Sequence, residues 1–374
     1  MKKWMKRLAL LLATTIGVAS IALLLLGSTT HAELKGTIDQ QLAQYVQTAE
    51  ASGFSGVVLA AQNGRTVFRQ AYGWADKEQK RVNTTETYFS AGSLQKSMTA
   101  VAVLQLVGEG KLSLHEPIST YLPDYPKEVG DKITLHHLLS HSSGIPDYLV
   151  PELVTYTKAY TVNEIVDLFK NKPLLFEPGT KFDYSNSNYV LAGLLIETAS
   201  HMSYEQYMQQ HVFGPTGMEH SFLKRQPGMD IAIGYEKGER AEIVDDSLLY
   251  ACGSLITTVD DLFRYDRAMK ENKLISAEQT KLMQHGYTPI SRLARIDYGY
   301  GWYVSDSFVT LNRPYVWHGG SLPGLRAGLD RIEQDDVTVI VLSNFSSDWN
   351  IGGFTREIAS IVLKERFWIW QKIG

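Results

Sequence analysis

Cysteine is nearly absent: Cys252 is the only one in 374 residues. An intrachain disulfide is therefore excluded, and the fold must stand on its hydrophobic core alone. A strong charge imbalance is missing too. The formal net charge is −4 with 20% charged residues, which excludes the basic footprint of a nucleic-acid binder. There are no internal repeats and no low-complexity tracts. Hydrophobic residues make up 44%, too many for a disordered chain and ordinary for a globular one. The length suits one large domain or two interlocked ones.

What is present begins with a targeting pattern. Lys2, Lys3, Lys6 and Arg7 precede an apolar stretch, Leu8 to Leu26, broken only by Thr14, Thr15, Gly17 and Ser20. Small residues at Thr30 and Ala32 then offer a cleavage point before Glu33. The stretch is close to the roughly 20 residues that span a bilayer, so residues 1–32 read as a signal peptide or as an uncleaved membrane anchor. Both readings export the body of the chain, residues 33–374, to the outer face of a bacterial membrane, the periplasm or the medium. No second span of this kind follows.

Residues 36–51 read as an amphipathic helix, and two β-rich runs flank Asn63-Gly64, a strong hairpin signal. In "YFSAGSLQKSMTAVAVLQLV" the residues Leu94, Met98, Val101 and Leu104 fall at helical spacing, and the helix runs out at Gly108 and Gly110. The pattern stays mostly helical to about residue 250, and a further helix is predicted over 258–270. After residue 296 short strand-like runs return, with a last helix from about Thr355 to Trp370. Strands at both ends with helices between predict an α+β fold: an antiparallel sheet from both chain ends, flanked by helices, with a mostly helical insert. The α/β part is expected over about 33–88 and 250–374, the helical part over about 89–249.

Three short motifs carry chemistry: Ser93-Leu94-Gln95-Lys96, Tyr184-Ser185-Asn186 and His318-Gly319-Gly320. Residues three apart share a helix face, so Lys96 sits one turn beyond Ser93 and beside its hydroxyl. Ser93 falls at the helix N-terminus, where free N–H groups favour developing negative charge. A Ser-x-x-Lys pair alone also fits a capping serine and a solvated lysine; the other two motifs decide against that reading.

With these residues the chain resembles the serine beta-lactamase and penicillin-binding protein superfamily, within it the class C beta-lactamase-like group. That group includes D-alanyl-D-alanine carboxypeptidases, D-aminopeptidases and esterases. The segments "GSLQKSMTA", "ITLHHLLSHSSGIPDY", "FEPGTKFDYSNSNYVLAGLLIE", "YGYGW" and "HGGSLPG" follow that group's order over nearly the whole chain after the export segment. The resemblance implies a beta-lactamase/transpeptidase-like fold and a covalent acyl-enzyme on Ser93. It implies proton traffic shared by Lys96 and Tyr184, with either of them as the base. Asn186 then binds substrate and orients the lysine, and the backbone N–H groups of Ser93 and Ser321 form the oxyanion hole, with His318, Gly319 and Gly320 in the substrate-binding strand. A cationic Lys96 is expected to lower the pKa of Tyr184.

Where many members carry Lys-Thr-Gly, this chain has His318-Gly319-Gly320, which removes two grips on a substrate carboxylate. Arg326 replaces one only if its side chain turns inward. The expected activity is that of a D-alanyl-D-alanine carboxypeptidase or related cell-wall D-peptidase acting on a small peptide, such as a peptidoglycan stem peptide. The alternatives are an esterase, a weak beta-lactamase, or a penicillin-binding sensor that is acylated and released slowly. This mechanism requires no cofactor and no metal. His136, His137 and His141 tempt a metal reading, with His137 and His141 one helical turn apart, but no matching carboxylate accompanies them. Cys252 reads as a buried core residue, Asp183 as a turn residue, Tyr148 as lining or packing, and the C-terminal "RFWIWQKIG" as part of a docked last helix.

Overall fold

The computed structural model describes residues 34–310, 312–346 and 350–365. The export segment expected over residues 1–32 lies outside them, as do the aromatic residues expected to dock at the C-terminus. Helix α1 (Ile38–Ala51) opens the described chain with a reciprocal capping box between Thr37 and Gln40. Strands β1 (Gly56–Gln62) and β2 (Arg65–Tyr72) form the predicted hairpin. Both turn residues, Asn63 and Gly64, have positive φ (53° and 71°), as a tight two-residue turn between twisted strands requires.

Helices α2 (Gln95–Gly108), α3 (Leu135–Leu139), α4 (Asn186–Ser200) and α5 (Val259–Lys270) follow. The chain then returns to the sheet with β3 (Thr288–Ser291), β4 (Ile296–Tyr298), β5 (Tyr303–Ser305), β6 (Tyr315–Leu322), β7 (Leu325–Ile332) and β8 (Val337–Ser343). Helix α6 (Ile351–Leu363) closes the described chain. It starts earlier than the sequence pattern predicts, because Asn350 caps it by accepting from Gly353 N at 3.1 Å. It stops at Lys364, whose φ of 55° leaves the helical region.

The eight strands form one sheet in the order β2-β1-β8-β7-β6-β5-β4-β3, and every pair is antiparallel. Every neighbour is a sequence neighbour except at one seam. There β1 meets β8, with Val58 opposite Val341 and Leu59 opposite Ile340. The sheet is thus woven from both chain ends, as the distribution of strand signals predicts.

Both faces of the seam are covered. Val58, Ala60, Val339 and Val341 pack with Leu42 and Val46 of α1 and Phe354 and Ile358 of α6. Val57, Leu59, Ile340 and Leu342 pack on the other side with Met98, Leu104 and the rest of the helical layer. That double burial explains why β1 and β8 read as continuous apolar runs rather than alternating ones. Each of the Val, Leu, Ile, Phe and Met side chains among these contributes about 1.5–3 kcal/mol of burial.

Helix α2 lies at the centre of the helical layer and is buried from Gln95 to Leu104. Its polar residues are all engaged. Gln95 Oε1 accepts from Leu255 N (3.0 Å), its Nε2 donates to the Tyr204 hydroxyl (3.1 Å), and Thr99 donates to the Ala251 carbonyl (2.8 Å). A helix with polar atoms this deep needs such partners, and they pin it to the 251–255 segment and to Tyr204.

Candidate active site

A short strand pair, Phe89–Ser90 against Ile256–Thr257, delivers the chain to the start of α2. Ala91 N donates to Leu255 O at 2.7 Å, and the 3-10 turn Gly92–Leu94 follows. Gly92 has φ +55°, and a Cβ there would stand 3.2 Å from Ser321 N. On the opposite side a Cβ at Gly320 would come 1.9 Å from the Ala91 carbonyl oxygen. Glycine at both positions lets the Ser93 turn lie directly against β6. The pairing of β5 with β6 ends at Tyr303 opposite Trp317, so the turn occupies the edge of β6 beyond Trp317. This brings Ser93 beside the backbone of Ser321, the arrangement a two-amide oxyanion site needs.

Ser93 is part-exposed, whereas Lys96 is fully buried. The Lys96 amine donates three hydrogen bonds: to Ser93 Oγ (3.0 Å), to Asn186 Oδ1 (2.8 Å) and to the Cys252 carbonyl (2.8 Å). All three ammonium protons are satisfied, and no carboxylate touches the group. Burial pulls its pKa down to about 8, against weaker raising effects from Cys252 and Asp147. A lysine in this state is partly neutral near physiological pH and sits within proton-transfer distance of the serine hydroxyl.

Asn186 is the first residue of α4 and is held from behind. Asp147 accepts from Asn186 N (3.1 Å) and from Asn186 Nδ2 (3.0 Å). The loop carrying Asp147 is stitched to the same helix, since Ser187 Oγ donates to the Pro146 carbonyl and accepts from Tyr148 N. Tyr148 is buried with its hydroxyl on the Leu248 carbonyl, so it packs and does not line a rim.

Tyr184 is part-buried beside this group. The Lys96 amine stands over its ring, 4.9 Å from the centroid. Burial pushes the Tyr184 phenol well up, and a hydrogen bond with the Ser93 hydroxyl pulls it down only in part. The expectation that Lys96 lowers this pKa is therefore corrected. The ammonium faces the ring and spends its protons on Ser93, Asn186 and Cys252, so desolvation wins.

His318 is also corrected as a side chain that meets substrate. It is buried, and its Nδ1 lies 2.7 Å from the Gly319 carbonyl while Nε2 lies 2.9 Å from the Tyr298 hydroxyl. A carbonyl only accepts, so Nδ1 carries the proton and Nε2 receives one from Tyr298. Burial, with the Lys96 charge second, takes its pKa down to about 3. It is a neutral structural group that ties β6 to β4. Gly319 is half-buried, and a Cβ there would meet only Ala327 O, at 3.6 Å.

Arg326 does not turn inward. Its Nη1 donates to the Leu322 and Leu325 carbonyls of its own hairpin, both at 2.8 Å. It stands opposite Ser321 in the register, two residues from Gly328, whose Cβ would touch Thr355 of α6. The strand side of the site thus carries neither a protonated histidine nor an inward arginine.

The three histidines part company. Helix α3 ends at Leu139 and His141 has φ +54°, so His137 and His141 do not share a helical face. His136 bonds the Tyr300 hydroxyl (2.8 Å), and His137 Nδ1 receives Thr134 N (3.3 Å) in a capping box. His141 is buried behind Tyr184, with ring centroids 4.2 Å apart. Its Nδ1 accepts from Ser185 N (3.2 Å) and Asn188 Nδ2 (3.1 Å). Among the described residues no group of three or more His, Cys, Asp or Glu is arranged to hold a metal ion. Cys252 is buried, and burial pushes its thiol pKa up; its contribution to the site is its carbonyl. Asp183 is exposed at the turn, where its N–H donates to the His141 carbonyl.

Sequence reasoning named Ser93, Lys96, Tyr184 and Asn186, and the structure brings them together. It missed Asp147, His141 as the support of Tyr184, and the Cys252 carbonyl. The Pro146-Asp147-Tyr148 run offered a faint signal, a carboxylate in a rigid loop; a backbone carbonyl offers none.

The Beta-lactamase family profile matches residues 38–350. A Bacillus subtilis protein named as a penicillin-binding protein, PbpX, is 32% identical over 340 residues, covering 88% of this chain and 80% of that protein. Penicillin-binding protein 4* of the same organism is 30% identical, covering 80% and 70%. Among solved structures, the octameric penicillin-binding protein homologue of Pyrococcus abyssi superposes with TM-score 0.78 at 28% identity, over 87% of this chain and 77% of that one. The D-amino acid amidase of Ochrobactrum anthropi does so with TM-score 0.72 at 26% identity, over 87% and 96%.

Proposed function

The chain belongs to the beta-lactamase family, with its beta-lactamase/transpeptidase-like fold, and on that premise we propose that it is an acyl-transfer hydrolase of D-amino-acid peptides acting through Ser93. It is a serine hydrolase of the beta-lactamase and penicillin-binding protein kind. The finer reading is a D-alanyl-D-alanine carboxypeptidase or related D-peptidase, exported to the outer side of the membrane, where cell-wall stem peptides are found. The observation that carries the acyl-transfer reading is the buried Lys96 amine 3.0 Å from Ser93 Oγ.

In its neutral form Lys96 takes the Ser93 proton as Oγ attacks the scissile carbonyl. The backbone N–H groups of Ser93 and Ser321 receive the oxyanion. Tyr184, kept protonated by burial, hands its proton to the departing amine and regains one from the Lys96 ammonium, which carries the proton taken from Ser93. Water then attacks the ester with the same groups in reverse. Asn186 keeps the lysine aimed throughout.

A second reading is favoured by one specific feature. His318 is neutral and Arg326 is spent on its own hairpin, which suits an acyl donor without a free carboxylate, such as a D-amino-acid amide or ester. The neighbour structure of a D-amino acid amidase is consistent with it.

The test is intact-mass spectrometry of the protein and of Ser93→Ala after incubation with a penicillin, a D-Ala-D-Ala peptide and the same peptide amidated at its C-terminus. Ser93-dependent release of D-Ala from the free peptide is the expected result. Turnover of the amide alone selects the second reading. A stable penicillin adduct without turnover of either peptide points to a sensor. Absence of any Ser93-dependent adduct or product overturns the proposal.

A further inference from the structure

Behind the Ser93, Lys96 and Asn186 triangle lies a carboxylate that touches none of the reacting atoms. We propose that Asp147 is a positioning residue for acyl transfer, a clamp that fixes the Asn186 amide so that its oxygen, and not its nitrogen, meets Lys96. The inference rests on the reading of Ser93 as the acylated residue.

The geometry leaves Asn186 one arrangement. Lys96 Nζ is a donor and needs the amide oxygen, which it has at 2.8 Å. The opposite end of the amide meets Asp147 Oδ2 at 3.0 Å, and an ionised carboxylate only accepts, so it requires the NH2 group. A flipped Asn186 would set oxygen against carboxylate and NH2 against ammonium. The second carboxylate oxygen takes Asn186 N (3.1 Å) and Leu149 N (3.2 Å). The Ser185 cap makes no side-chain hydrogen bond, so Asp147 does the work of an N-cap from a separate loop and places negative charge at the positive end of α4. Reciprocal bonds between Ser187 and the backbone of Pro146 and Tyr148 hold that loop to the same helix turn. Asp147 therefore moves with Asn186 and not with the surface.

An amide at position 147 cannot reproduce this. It would turn at least one of the two Asn186 contacts into a donor facing a donor. Asn186 would lose its preferred face, and Lys96 one of its three acceptors. Asp147→Asn also removes a carboxylate charge that bears on the lysine. Besides its partners Ser93 and Asn186, the titratable groups that bear on Lys96 are Tyr184, Tyr189, His141, His318, Cys252 and Asp147. Asp147 is the carboxylate among them, and its charge holds the lysine pKa up against burial. Its loss moves that pKa down.

The experiment is a double-mutant cycle on the p-nitrophenyl acetate acylation burst, with wild type, Asp147→Asn, Asn186→Ala and the double variant, each followed from pH 5 to 10. The expected result is a loss of about tenfold or more for Asp147→Asn in the wild-type background. In the Asn186→Ala background the same change costs less than about twofold at each variant's optimal pH, because the side-chain amide that the clamp orients is gone and only the backbone contacts of Asp147 remain. The acid limb of kcat/KM moves to lower pH. Asp147→Glu is the second variant, and it carries the cycle if Asp147→Asn does not melt cooperatively: it keeps the charge and the acid limb but loses rate through Asn186. Equal losses in both backgrounds, no loss, or an unmoved acid limb in Asp147→Asn overturns the inference. Release that is the same in wild type and Ser93→Ala overturns the acyl-hydrolase reading beneath it, whereas Ser93-dependent release indifferent to Asp147 removes the clamp alone.

Discussion

The two walls of the site are built on opposite plans. On the helix side the reacting groups are matched: Lys96 spends three protons on three acceptors, and Asn186 is held front and back. On the strand side the chain offers glycine, a neutral histidine facing inward and an arginine occupied with its own hairpin. The first wall fixes what reaction is possible. The second leaves open which molecule undergoes it. Chemistry here is specified by side chains that are present, and selectivity by side chains that are missing.

Removing Lys96 attacks the matched wall and should have the largest effect. Lys96→Met is expected to slow acylation by about 10²–10⁴-fold, read as loss of the p-nitrophenol burst. It should also remove the acid limb that the wild type shows in kcat/KM. That limb is expected near pH 8, because Lys96 must shed a proton to act and its pKa is about 8; activity falls as pH drops below it. A limb that persists unchanged in the variant would assign it to another group.

Gly320→Ala tests where the walls touch. Its Cβ would meet the Ala91 carbonyl oxygen at 1.9 Å, so either β6 or the Ser93 turn must move. The oxyanion amides then separate, and kcat should drop by about 10²–10³-fold. Steady-state kinetics with an activated ester would show it.

Gly319→Thr should produce the smallest change, and in the opposite sense. The new Cβ makes only an ordinary contact of 3.6 Å with Ala327 O, and the hydroxyl restores one of the missing grips. KM for a penicillin or a free-carboxylate peptide is expected to fall about 2–10-fold, with kcat for a neutral ester within about twofold. An equal fall for both substrates would show that the bare strand is not what sets preference.

These walls were not equally legible in the sequence. The helix side was, because helical spacing alone places Lys96 over Ser93, and the Tyr-Ser-Asn motif supplies its partner. The sheet was legible through its hairpin turn and the return of β-rich runs after residue 296. Three things were not. Whether His318 faces substrate depends on the Tyr298 hydroxyl, which lies across two strands. Whether Arg326 turns inward depends on hairpin carbonyls that look the same in any sequence. The pKa order of Lys96 and Tyr184 depends on how much water each has lost, and burial is a property of the assembled layers. Asp147 escaped for a related reason: it acts through a residue 39 positions away, and no local spacing joins them.

The seam between β1 and β8 has a bearing on how the molecule comes into being. Residues 56–62 leave the ribosome long before their partner, residues 337–343. Until then the hairpin has one side of β1 unpaired and both of its faces in search of cover. Assembly is therefore committed late and all at once, and contacts this far apart along the chain fold slowly. A message interrupted before β8 leaves the hairpin of β1 and β2 cut off from the rest of the sheet, because β8 alone joins it to β7.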